Sequence, residues 1–313
     1  MGEVKDVTAA YSEALVEVGL ADPRVMALDA DLPDSCMTEP FYRACPGRAI
    51  DLGVAEQSLP TFAAGLALVG KVPFYNTFAV FAVGRSFDMI RLSVAYARAN
   101  VKIVGHAAGL SLGYAGPSHH ALEDVAMMRA LPGMVVLQPA DAEECRQMVW
   151  WMKDYAGPVY LRLTRARVPD VHAAGWRFEM GRTEQLREGC DVTLYTTGDL
   201  WVQALRVAER LAGEGIGVQV VNVSTLKPLP PGEIVRHARA TRCGTTMEDH
   251  HVVGGLGSAV AEVYAEFVPE RALRRLGIRD TFTESDDYDV LRAHYGLADE
   301  DVVTAVHSLL GSS

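Results

Sequence analysis

The sequence lacks paired cysteines, long apolar runs and an excess of basic residues. Its five cysteines are odd in number, widely separated and never in C-x-x-C spacing, so neither a disulfide framework nor a zinc site is indicated. No uncharged apolar run reaches the roughly 18 residues of a transmembrane helix. Basic residues are in deficit, with 29 Lys and Arg against 40 Asp and Glu and a net charge of −11. The chain therefore offers no overall electrostatic footprint for nucleic acid or an anionic membrane.

Sequence motifs for phosphate and metal binding are also missing. There is no P-loop, and no G-D-G followed by an Asn-bearing segment that could hold Mg²⁺ and a diphosphate. The glycines of "EDHHVVGGLGSAVAE" (248–262) have G-G-x-G spacing, not the G-x-G-x-x-G of a dinucleotide site. We expect them to allow close helix packing, with the helix N-terminus meeting an anion or a neighbouring subunit.

The composition that remains is that of an α/β protein of about two domains. Of 313 residues, 49% are hydrophobic and 22% charged. Short β-rich runs alternate with segments at helical spacing, which predicts mostly parallel sheets flanked by helices. We predict domains at 1–170 and 189–313, joined by a charged, aperiodic linker at 171–188. The N-terminal segment lacks a signal-peptide pattern, so we expect a cytoplasmic protein.

The first predicted domain, 1–170, contains four clear strand patterns and two amphipathic helix patterns. The strands are 25–32, 101–108, 134–140 and 159–164, and the helices are 81–100 and 141–155. The second of these helices begins at Asp141 with Glu144 three residues on, the pattern of a capping box.

A carboxylate stands at the start of an apolar segment in "DLGVAEQSLPTFAAGLALVG" (51–70). Glu56 lies there between a glycine turn and a predicted buried helix, where an unpaired charge is unfavourable. A lone glutamate in such a place more often caps a helix or pairs with an arginine than it catalyses. The nearby stretch "PFYNTFAVFAVGR" (73–85) is rich in aromatic residues, some of which must pack the core. A flat heteroaromatic ligand would need both features, a stacking ring and a carboxylate.

A third stretch combines histidines with turn residues. "GHAAGLSLGYAGPSHHALEDVAMMRALPG" (105–133) has glycines and a proline between a strand and a helix, which predicts an irregular loop where open α/β sheets bind ligands. His106, His119 and His120 lie in or beside this loop and favour a binding site. Metal binding is the weaker interpretation because no Cys or carboxylate cluster completes a ligand set.

Taken in order, these stretches resemble the second half of transketolase, its pyrimidine-binding domain followed by its C-terminal domain. The resemblance runs from "AAYSEALVEV" through "GVAEQ", "PFYNTFAVFAVGRSFDMIRLSVAY" and "GPSHHALEDVAMMRALPGMVVLQPAD" to "MEDHHVVGGLGSAVAE". In this family the missing first half carries the Mg²⁺ and diphosphate motif. The resemblance therefore implies a split enzyme that uses thiamine diphosphate and Mg²⁺. Its partner would be an N-terminal transketolase-like subunit, in a heterotetramer of two chains of each kind, and the isolated chain is expected to associate with itself.

The resemblance also implies roles at the cofactor. The family's glutamate at the Glu56 position hydrogen-bonds N1′ of the aminopyrimidine ring and so activates the cofactor. Phe78 and Phe81 match the aromatic positions from which one ring stacks on the aminopyrimidine, and the choice between them stays open. Asp31 in "DADLPDS" matches a position near the thiazolium ring.

Further positions match the family's substrate contacts. His119 in "GPSHH" matches the histidine that contacts substrate oxygens and also acts in catalysis. Ser35 matches a position at the phosphate end of the substrate, and Arg165 in "LRLTR" matches an arginine that contacts the substrate phosphate. His106 lies one place from a histidine of the motif and is a further candidate for substrate binding.

Three departures from the family pattern affect substrate recognition. Ala115 replaces the aspartate that hydrogen-bonds a donor hydroxyl, Ala107 falls where the motif has histidine, and Thr8 falls where a phosphate-binding arginine is usual. Sites that read a hydroxyl discriminate through such hydrogen bonds. We therefore expect ketol or acyl transfer to be retained with altered sugar-phosphate recognition.

Two alternatives remain at this point. The β chain of a 2-oxoacid dehydrogenase shares the architecture and the glutamate, although the "GPSHH" loop is more similar to that of transketolase. A non-catalytic assembly subunit could have kept the fold and lost the activity, although Glu56, the aromatic cluster and His119 argue against that interpretation.

Overall fold

The computed structural model describes residues 4–172 and 175–311. Within these ranges the chain forms a seven-stranded sheet, a five-stranded sheet and a two-stranded ribbon. Most strand pairs in the two larger sheets are parallel. The predicted class, mostly parallel sheets flanked by helices, is confirmed. No helix in the described ranges has the length and apolar character needed to cross a lipid bilayer.

The bounds of the regular elements are as follows. The strands are β1 (Val4–Asp6), β2 (Val25–Asp29), β3 (Ala49–Asp51), β4 (Val72–Phe78), β5 (Lys102–His106), β6 (Val135–Leu137), β7 (Val159–Arg162), β8 (Arg167–Pro169), β9 (Glu184–Arg187), β10 (Val192–Thr196), β11 (Val218–Asn222), β12 (Thr225–Lys227), β13 (Cys243–His251) and β14 (Leu273–Ile278). The α-helices are α1 (Val7–Ala21), α2 (Glu39–Ala44), α3 (Leu59–Leu68), α4 (Phe87–Met89), α5 (Asp124–Ala130), α6 (Ala142–Asp154), α7 (Trp201–Ala212), α8 (Pro231–Ala240), α9 (Leu256–Phe267), α10 (Tyr288–His294) and α11 (Asp299–Gly311).

The seven-stranded sheet places several chain segments at one edge. Its order is β12-β6-β7-β5-β4-β2-β3, and every pair except β12 with β6 is parallel. Phe78 at the end of β4 is level with His106 at the end of β5. The carboxyl ends of parallel strands share an edge, so the loops after β2, β4 and β5 meet there. The four predicted strands of this sheet are all present, with shorter bounds.

The two halves of the chain are joined through this sheet, which the sequence did not indicate. β12, from the second half, pairs with β6, with Thr225 opposite Leu137. The separate five-stranded sheet has the order β14-β13-β10-β11-β9. One apolar cluster includes Met134 from the first half and Leu226 and Val260 from the second. The core is therefore continuous across the predicted domain boundary.

The predicted helix at 141–155 is confirmed as α6, together with its start. The Asp141 carboxylate accepts a hydrogen bond from the backbone N–H of Glu144 at 2.8 Å. The Glu144 carboxylate in turn accepts one from the N–H of Ala140 at 2.7 Å. The two acids satisfy backbone donors that a helix N-terminus otherwise leaves unpaired.

The segment 81–100, predicted as one amphipathic helix, is irregular. It contains π-helical turns at Phe81–Arg85 and Ile90–Tyr96, separated by α4. Such wider turns are frequent at functional sites. Ser86 lies at the break, where its hydroxyl donates to the carbonyl of Glu56 at 2.8 Å. The irregular segment therefore packs directly against the turn that carries Glu56.

A buried histidine fixes the start of the predicted linker. His172 Nδ1 lies 2.7 Å from the Asp141 carboxylate, and Nε2 lies 2.5 Å from the Glu184 carboxylate. Burial by itself would lower the pKa of His172, but the hydrogen bonds to Asp141 and Glu184 raise it to about 10. The imidazolium thus connects the N-terminus of α6 to β9.

We predict that this imidazolium makes stability depend on alkaline pH. Because the folded-state pKa lies above the unfolded value of 6.5, the stabilisation is complete below pH 6.5 and is lost as pH rises towards 10. Over that interval, wild-type protein should lose several kcal/mol of unfolding free energy that His172→Gln does not lose, because linkage removes about 1.4 kcal/mol for each pH unit between the two pKa values. Urea unfolding at several pH values measures the difference.

A matched control is His307→Gln, which removes a half-exposed histidine of α11 that pairs with Glu214. This control should follow the wild-type pH profile. Identical profiles for wild type and His172→Gln would contradict the assignment of a charged histidine to this network.

Candidate functional site

Glu56 is a buried carboxylate in the turn that precedes α3. Its residue is only 5% exposed, and Oε1 accepts a hydrogen bond from Nη1 of Arg85 at 2.7 Å. Its backbone is fixed as well, because the carbonyl accepts the hydroxyl of Ser86. The sequence alone did not indicate a partner for the Glu56 carboxylate, and the structure shows that this partner is Arg85 of the same chain.

Two phenylalanines and a histidine pack against one another, and Arg85 connects them to this carboxylate. The ring centroids of Phe78 and Phe81 lie 6.0 Å apart, and the His119 ring lies 5.9 Å from Phe78 and 5.1 Å from Phe81. Phe78 is buried, whereas Phe81 is only half-buried. The guanidinium carbon of Arg85 lies over the Phe81 ring, 4.0 Å from its centroid. The structure thus brings Glu56, Phe78, Phe81 and His119 together.

Arg165 and Ser35 lie at the border of the same group. The Arg165 guanidinium is 5.6 Å from the centroid of Phe78, and Nη2 donates to the carbonyl of Ser35 at 3.4 Å. Arg165 is exposed, so its remaining N–H groups are available to an anion. The Ser118 hydroxyl and Nδ1 of His119 lie 2.9 Å apart, which orients the imidazole.

Asp31 occupies a constrained position in the loop after β2. Its φ is +60°, a left-handed conformation that non-glycine residues seldom adopt. Its backbone N–H donates to the carboxylate of Asp51 at 2.9 Å, and the same carboxylate accepts the N–H of Gly53 at 2.9 Å. The exposed side chain of Asp31 is therefore held on a fixed backbone.

The three histidines of the sequence pattern do not form one cluster. His106 is buried at the end of β5, where Nε2 lies 3.3 Å from the Asn76 side-chain oxygen and the ring contacts Tyr11 edge-on. Burial, assisted by the positive charge of Arg165, lowers the pKa of His106 to about 3. His120 turns towards the second half, with Nδ1 2.7 Å from the Thr283 hydroxyl. His119 is the member that faces the aromatic pair.

The three departures from the family pattern lie in apolar or internally bonded surroundings. Ala107 is buried in a small cluster with Phe78, and Ala115 packs against that cluster. The hydroxyl of Thr8 donates to the carbonyl of Thr164 at 3.4 Å. Neither alanine offers a hydrogen-bonding side chain, and Thr8 contributes no positive charge.

The loop that carries His119 is supported by the second half of the chain. A Cβ built on Gly113 would lie 2.2 Å from the carbonyl oxygen of Asp286, and one on Gly116 would lie 2.3 Å from the Ser285 hydroxyl. Gly116 also has a φ of +72°, which glycine adopts without strain. The glycines of this loop therefore permit close contact between two backbone segments.

Arg162 connects that loop to both sheets. It is 1% exposed, and its Nε donates to the Asp124 carboxylate at 2.8 Å. Nη2 donates to the carbonyls of Ala121 at 3.1 Å and Asp249 at 2.9 Å. Burial by itself would raise the pKa of Asp124, but the Arg162 guanidinium holds it below its ordinary value. This ion pair lies entirely inside the protein.

The N-terminus of α9, which follows the glycine-rich segment, binds a carboxylate of the same chain, that of Glu248. The buried carboxylate of Glu248 accepts the backbone N–H groups of Leu256 at 2.6 Å and Gly257 at 2.8 Å. A Cβ built on Gly255 would lie 2.0 Å from that carboxylate. These glycines thus allow close packing, as expected, and Glu248 satisfies two donors of the helix N-terminus.

Two domain families match this chain in sequence. Residues 3–170 match the family described as transketolase, pyrimidine binding domain. Residues 181–302 match the family described as transketolase, C-terminal domain. The chain belongs to the transketolase family.

Transketolase relatives match nearly the whole chain. It is 42% identical over 299 residues to the 6-deoxy-6-sulfo-D-fructose transketolase subunit of Clostridium sp. (strain MSTE9), covering 96% of this chain and 92% of that protein. It is 34% identical over 281 residues to one subunit of the apulose-4-phosphate transketolase of Actinobacillus succinogenes, covering 90% of each. It therefore resembles transketolases that are described as separate subunits.

Solved transketolases share the fold. A chain described as a split gene transketolase in an inactive β4 tetramer has a TM-score of 0.90 and 46% identity, with 98% of both chains covered. A transketolase from Leishmania mexicana has a TM-score of 0.83 at 23% identity, and this chain covers 46% of it. The second likeness shows the fold alone.

Thiamine diphosphate is the cofactor that the transketolase family implies, and part of this chain suits its aminopyrimidine ring. That ring is flat and carries N–H groups, so it needs an aromatic surface beside a hydrogen-bond acceptor. Phe81 offers the aromatic surface and Glu56 offers the acceptor. The planar guanidinium of Arg85 already contacts these two side chains. Across residues 4–172 and 175–311, no group of three or more His, Cys, Asp or Glu side chains could hold a metal ion.

Several residues of the candidate site are not indicated by the sequence. Arg85 stands there as the end of an aromatic stretch, without a partner. Arg162 falls within a predicted strand, and Asp124 falls within the histidine-containing stretch 105–133. A charged residue at the carboxyl end of an apolar strand is nevertheless a usable signal. Their roles depend on contacts between distant segments.

We predict that removing Arg162 destabilises the protein far more than removing a surface arginine. Arg162→Met should lower the free energy of unfolding by about 3–5 kcal/mol, because it leaves the Asp124 charge buried without its partner. The control is Arg146→Met, which removes a partly exposed pair with Glu17 and should change stability by less than about 1 kcal/mol. Urea denaturation measures both, and similar losses would contradict the assignment.

Proposed function

We propose that this chain is the C-terminal subunit of a two-chain, thiamine-diphosphate-dependent transferase of the transketolase type. It would transfer a two-carbon ketol unit, or an acyl unit, from a ketose or 2-oxoacid donor to an aldehyde or ketone acceptor. The geometry at Glu56 carries this proposal. A buried carboxylate lies beside the half-buried ring of Phe81, and the imidazole of His119 is 5.1 Å from the same ring. The arrangement supports a cofactor ring bound next to a substrate.

The side chains of this half-site divide the work between them. Thiamine diphosphate, when bound, supplies a nucleophilic carbon and an electron sink for the transferred unit. In the proposal, Glu56 accepts a hydrogen bond at the pyrimidine edge and exchanges a proton there. Phe81 provides the stacking surface because it is the less buried of the two rings, and Phe78 supports it. Asp31 would lie near the thiazolium ring.

The diphosphate and Mg²⁺ are assigned to a second chain. The sequence carries no diphosphate motif, and the described residues hold no acidic or histidine cluster suited to a metal ion. We propose an N-terminal transketolase-like partner in a heterotetramer of two chains of each kind. The split transketolase described as an inactive β4 tetramer supports the idea that such chains also associate with themselves.

Substrate recognition is proposed to differ at the anionic end. His119 would contact substrate oxygens, and exposed Arg165, beside Ser35, would contact the terminal anion. Ala115 and Ala107 withdraw two hydrogen-bonding side chains, and Thr8 withdraws a positive charge. Arg165 still offers N–H donors for charge-assisted hydrogen bonds to a terminal anionic group. The names of the sulfofructose and apulose-phosphate relatives support an unusual sugar as substrate.

The first test measures cofactor binding. Thiamine diphosphate with Mg²⁺ would be titrated calorimetrically into this chain, into a candidate partner that bears the diphosphate motif, and into their mixture. Tight binding is expected in the mixture alone, because the ring and the diphosphate are held by different chains. In the mixture, Glu56→Gln should reduce turnover about 100-fold or more, since an amide cannot exchange the proton.

The matched control is Glu209→Gln, which changes an exposed glutamate of α7 and should leave turnover unchanged. Full activity of Glu56→Gln would contradict the catalytic assignment. Absence of cofactor binding across a panel of partners that carry the motif would contradict the proposed function itself.

A second test concerns the terminal anion. Arg165→Gln should lower kcat/KM roughly 10- to 100-fold for D-glyceraldehyde 3-phosphate, because a charge-assisted hydrogen bond is lost. The same variant should leave kcat/KM for D-glyceraldehyde nearly unchanged. A matching loss for both acceptors would show that Arg165 acts on something other than the anionic group.

A further inference from the structure

Arg85 makes two contacts that the proposed function reserves for the cofactor. Nη1 donates to the Glu56 carboxylate at 2.7 Å, and the guanidinium carbon lies 4.0 Å from the centroid of Phe81. Each of these contacts is ordinary, since guanidinium groups pair with carboxylates and stack on aromatic rings. Their combination on these two residues is what matters, because the proposal places the aminopyrimidine on the same pair.

A guanidinium and an aminopyrimidine have similar demands. Both are planar and delocalised, both present N–H donors in the plane, and both stack on an aromatic face. Arg85 occupies Oε1 of Glu56 and covers one face of the Phe81 ring, so an aminopyrimidine that used the same oxygen and the same face would have to displace it. The two groups therefore compete for a single position.

We propose that Arg85 holds the place of the aminopyrimidine ring in the cofactor-free chain and must leave it when thiamine diphosphate binds. The inference rests on the proposed function, which it extends by naming the residue that regulates access to Glu56. Arg85 would thus act as a positioning residue for Glu56 before the cofactor arrives, and as a competitor of the cofactor when it does.

Exposure determines which side of this pair can move. The Arg85 side chain is 47% exposed, whereas the Glu56 side chain is 7% exposed. A guanidinium that already faces water can swing outward and become fully hydrated. Glu56 cannot follow, because its backbone is held by Ser86 and its side chain is enclosed. Cofactor binding would therefore exchange one partner of Glu56 for another without leaving the buried carboxylate unpaired.

Removing Arg85 would change the affinity for the cofactor in opposite directions if Arg85 were a permanent support of Glu56 and if it were a competitor of the cofactor. If Arg85 stayed in place as a permanent support for Glu56, its removal would weaken cofactor binding. If it is a competitor, its removal strengthens binding, because the cofactor no longer has to displace it. The sign of one change in affinity therefore distinguishes the two assignments.

The experiment uses the reconstituted two-chain complex and titrates thiamine diphosphate with Mg²⁺ calorimetrically. Arg85→Ala should bind the cofactor roughly three- to tenfold more tightly than wild type, the range expected for the loss of one partly exposed ion pair. Arg85→Lys keeps the charge without the planar stacking group and should fall between the two. It also preserves the test if the alanine variant folds poorly. The control, Arg91→Gln, removes an exposed arginine that pairs with Asp88 and should bind as wild type does.

A second readout needs no turnover. A double-mutant cycle of Glu56→Gln and Arg85→Ala, followed by thermal unfolding, measures the coupling between the two side chains. We expect coupling in the cofactor-free chain and its disappearance when the complex is saturated with thiamine diphosphate. Coupling that persists in the loaded complex would overturn the inference.

The outcomes separate the two proposals. Wild-type binding with unchanged or weaker binding by both Arg85 variants overturns the role of Arg85 and leaves the proposed function intact. Binding by the variants with none by wild type supports the inference in its strongest form. Absence of binding by wild type and variants alike removes the proposed function, and the inference with it.

Discussion

A buried ion pair between Arg162 and Asp124 fixes the loop that carries His119 relative to both large sheets. The Arg162 guanidinium also donates to the carbonyls of Ala121 and Asp249, which lie in the histidine loop and in the second sheet. An enclosed guanidinium has to keep these partners, because leaving any of the charge unpaired in the interior is strongly unfavourable. Apolar packing would tolerate a small displacement of the loop, since it has no direction. The directional hydrogen bonds of Arg162 would not tolerate such a displacement.

This support from inside allows the residues of the site to be partly exposed and still well positioned. His119 is half-buried, and its loop is held on one side by Arg162 and on the other by the Ser285 side chain and the Asp286 backbone. A loop fixed in this way carries its side chains as a strand or helix would. The second half of the chain therefore contributes to the site by positioning a loop of the first half, and it also shares the apolar core and the sheet that contains β12.

The sequence predicts this structure wherever the signal is local. The strand pattern and the start of α6 at Asp141 follow from periodicity and capping over a few residues, and Glu56 is conspicuous because a carboxylate beside an apolar helix is unusual anywhere. Contacts between distant segments leave no such local mark. Arg85 meets Glu56 across 29 residues, and Arg162 meets Asp249 across 87. Apolar spacing also could not distinguish the π-helical turns of 81–100 from a regular helix, because both place apolar residues on one face.

In the proposed function this chain carries half of a site, so its ionisable groups have to be accommodated before the other half arrives, and the structure does this in three physical ways. His106 is buried with its pKa lowered to about 3, so it holds no charge near neutral pH. Arg165 is exposed, so water solvates it. Glu56 is buried and cannot be hydrated, so it needs a partner within the chain, and Arg85 provides one. The hydrated Arg165 and the neutral His106 can bind a ligand without first breaking an ion pair. Glu56 is already paired, so it has to exchange Arg85 for the ligand. The step that cofactor binding adds to this half-site should therefore fall on Glu56 and Arg85 rather than on the groups around the substrate.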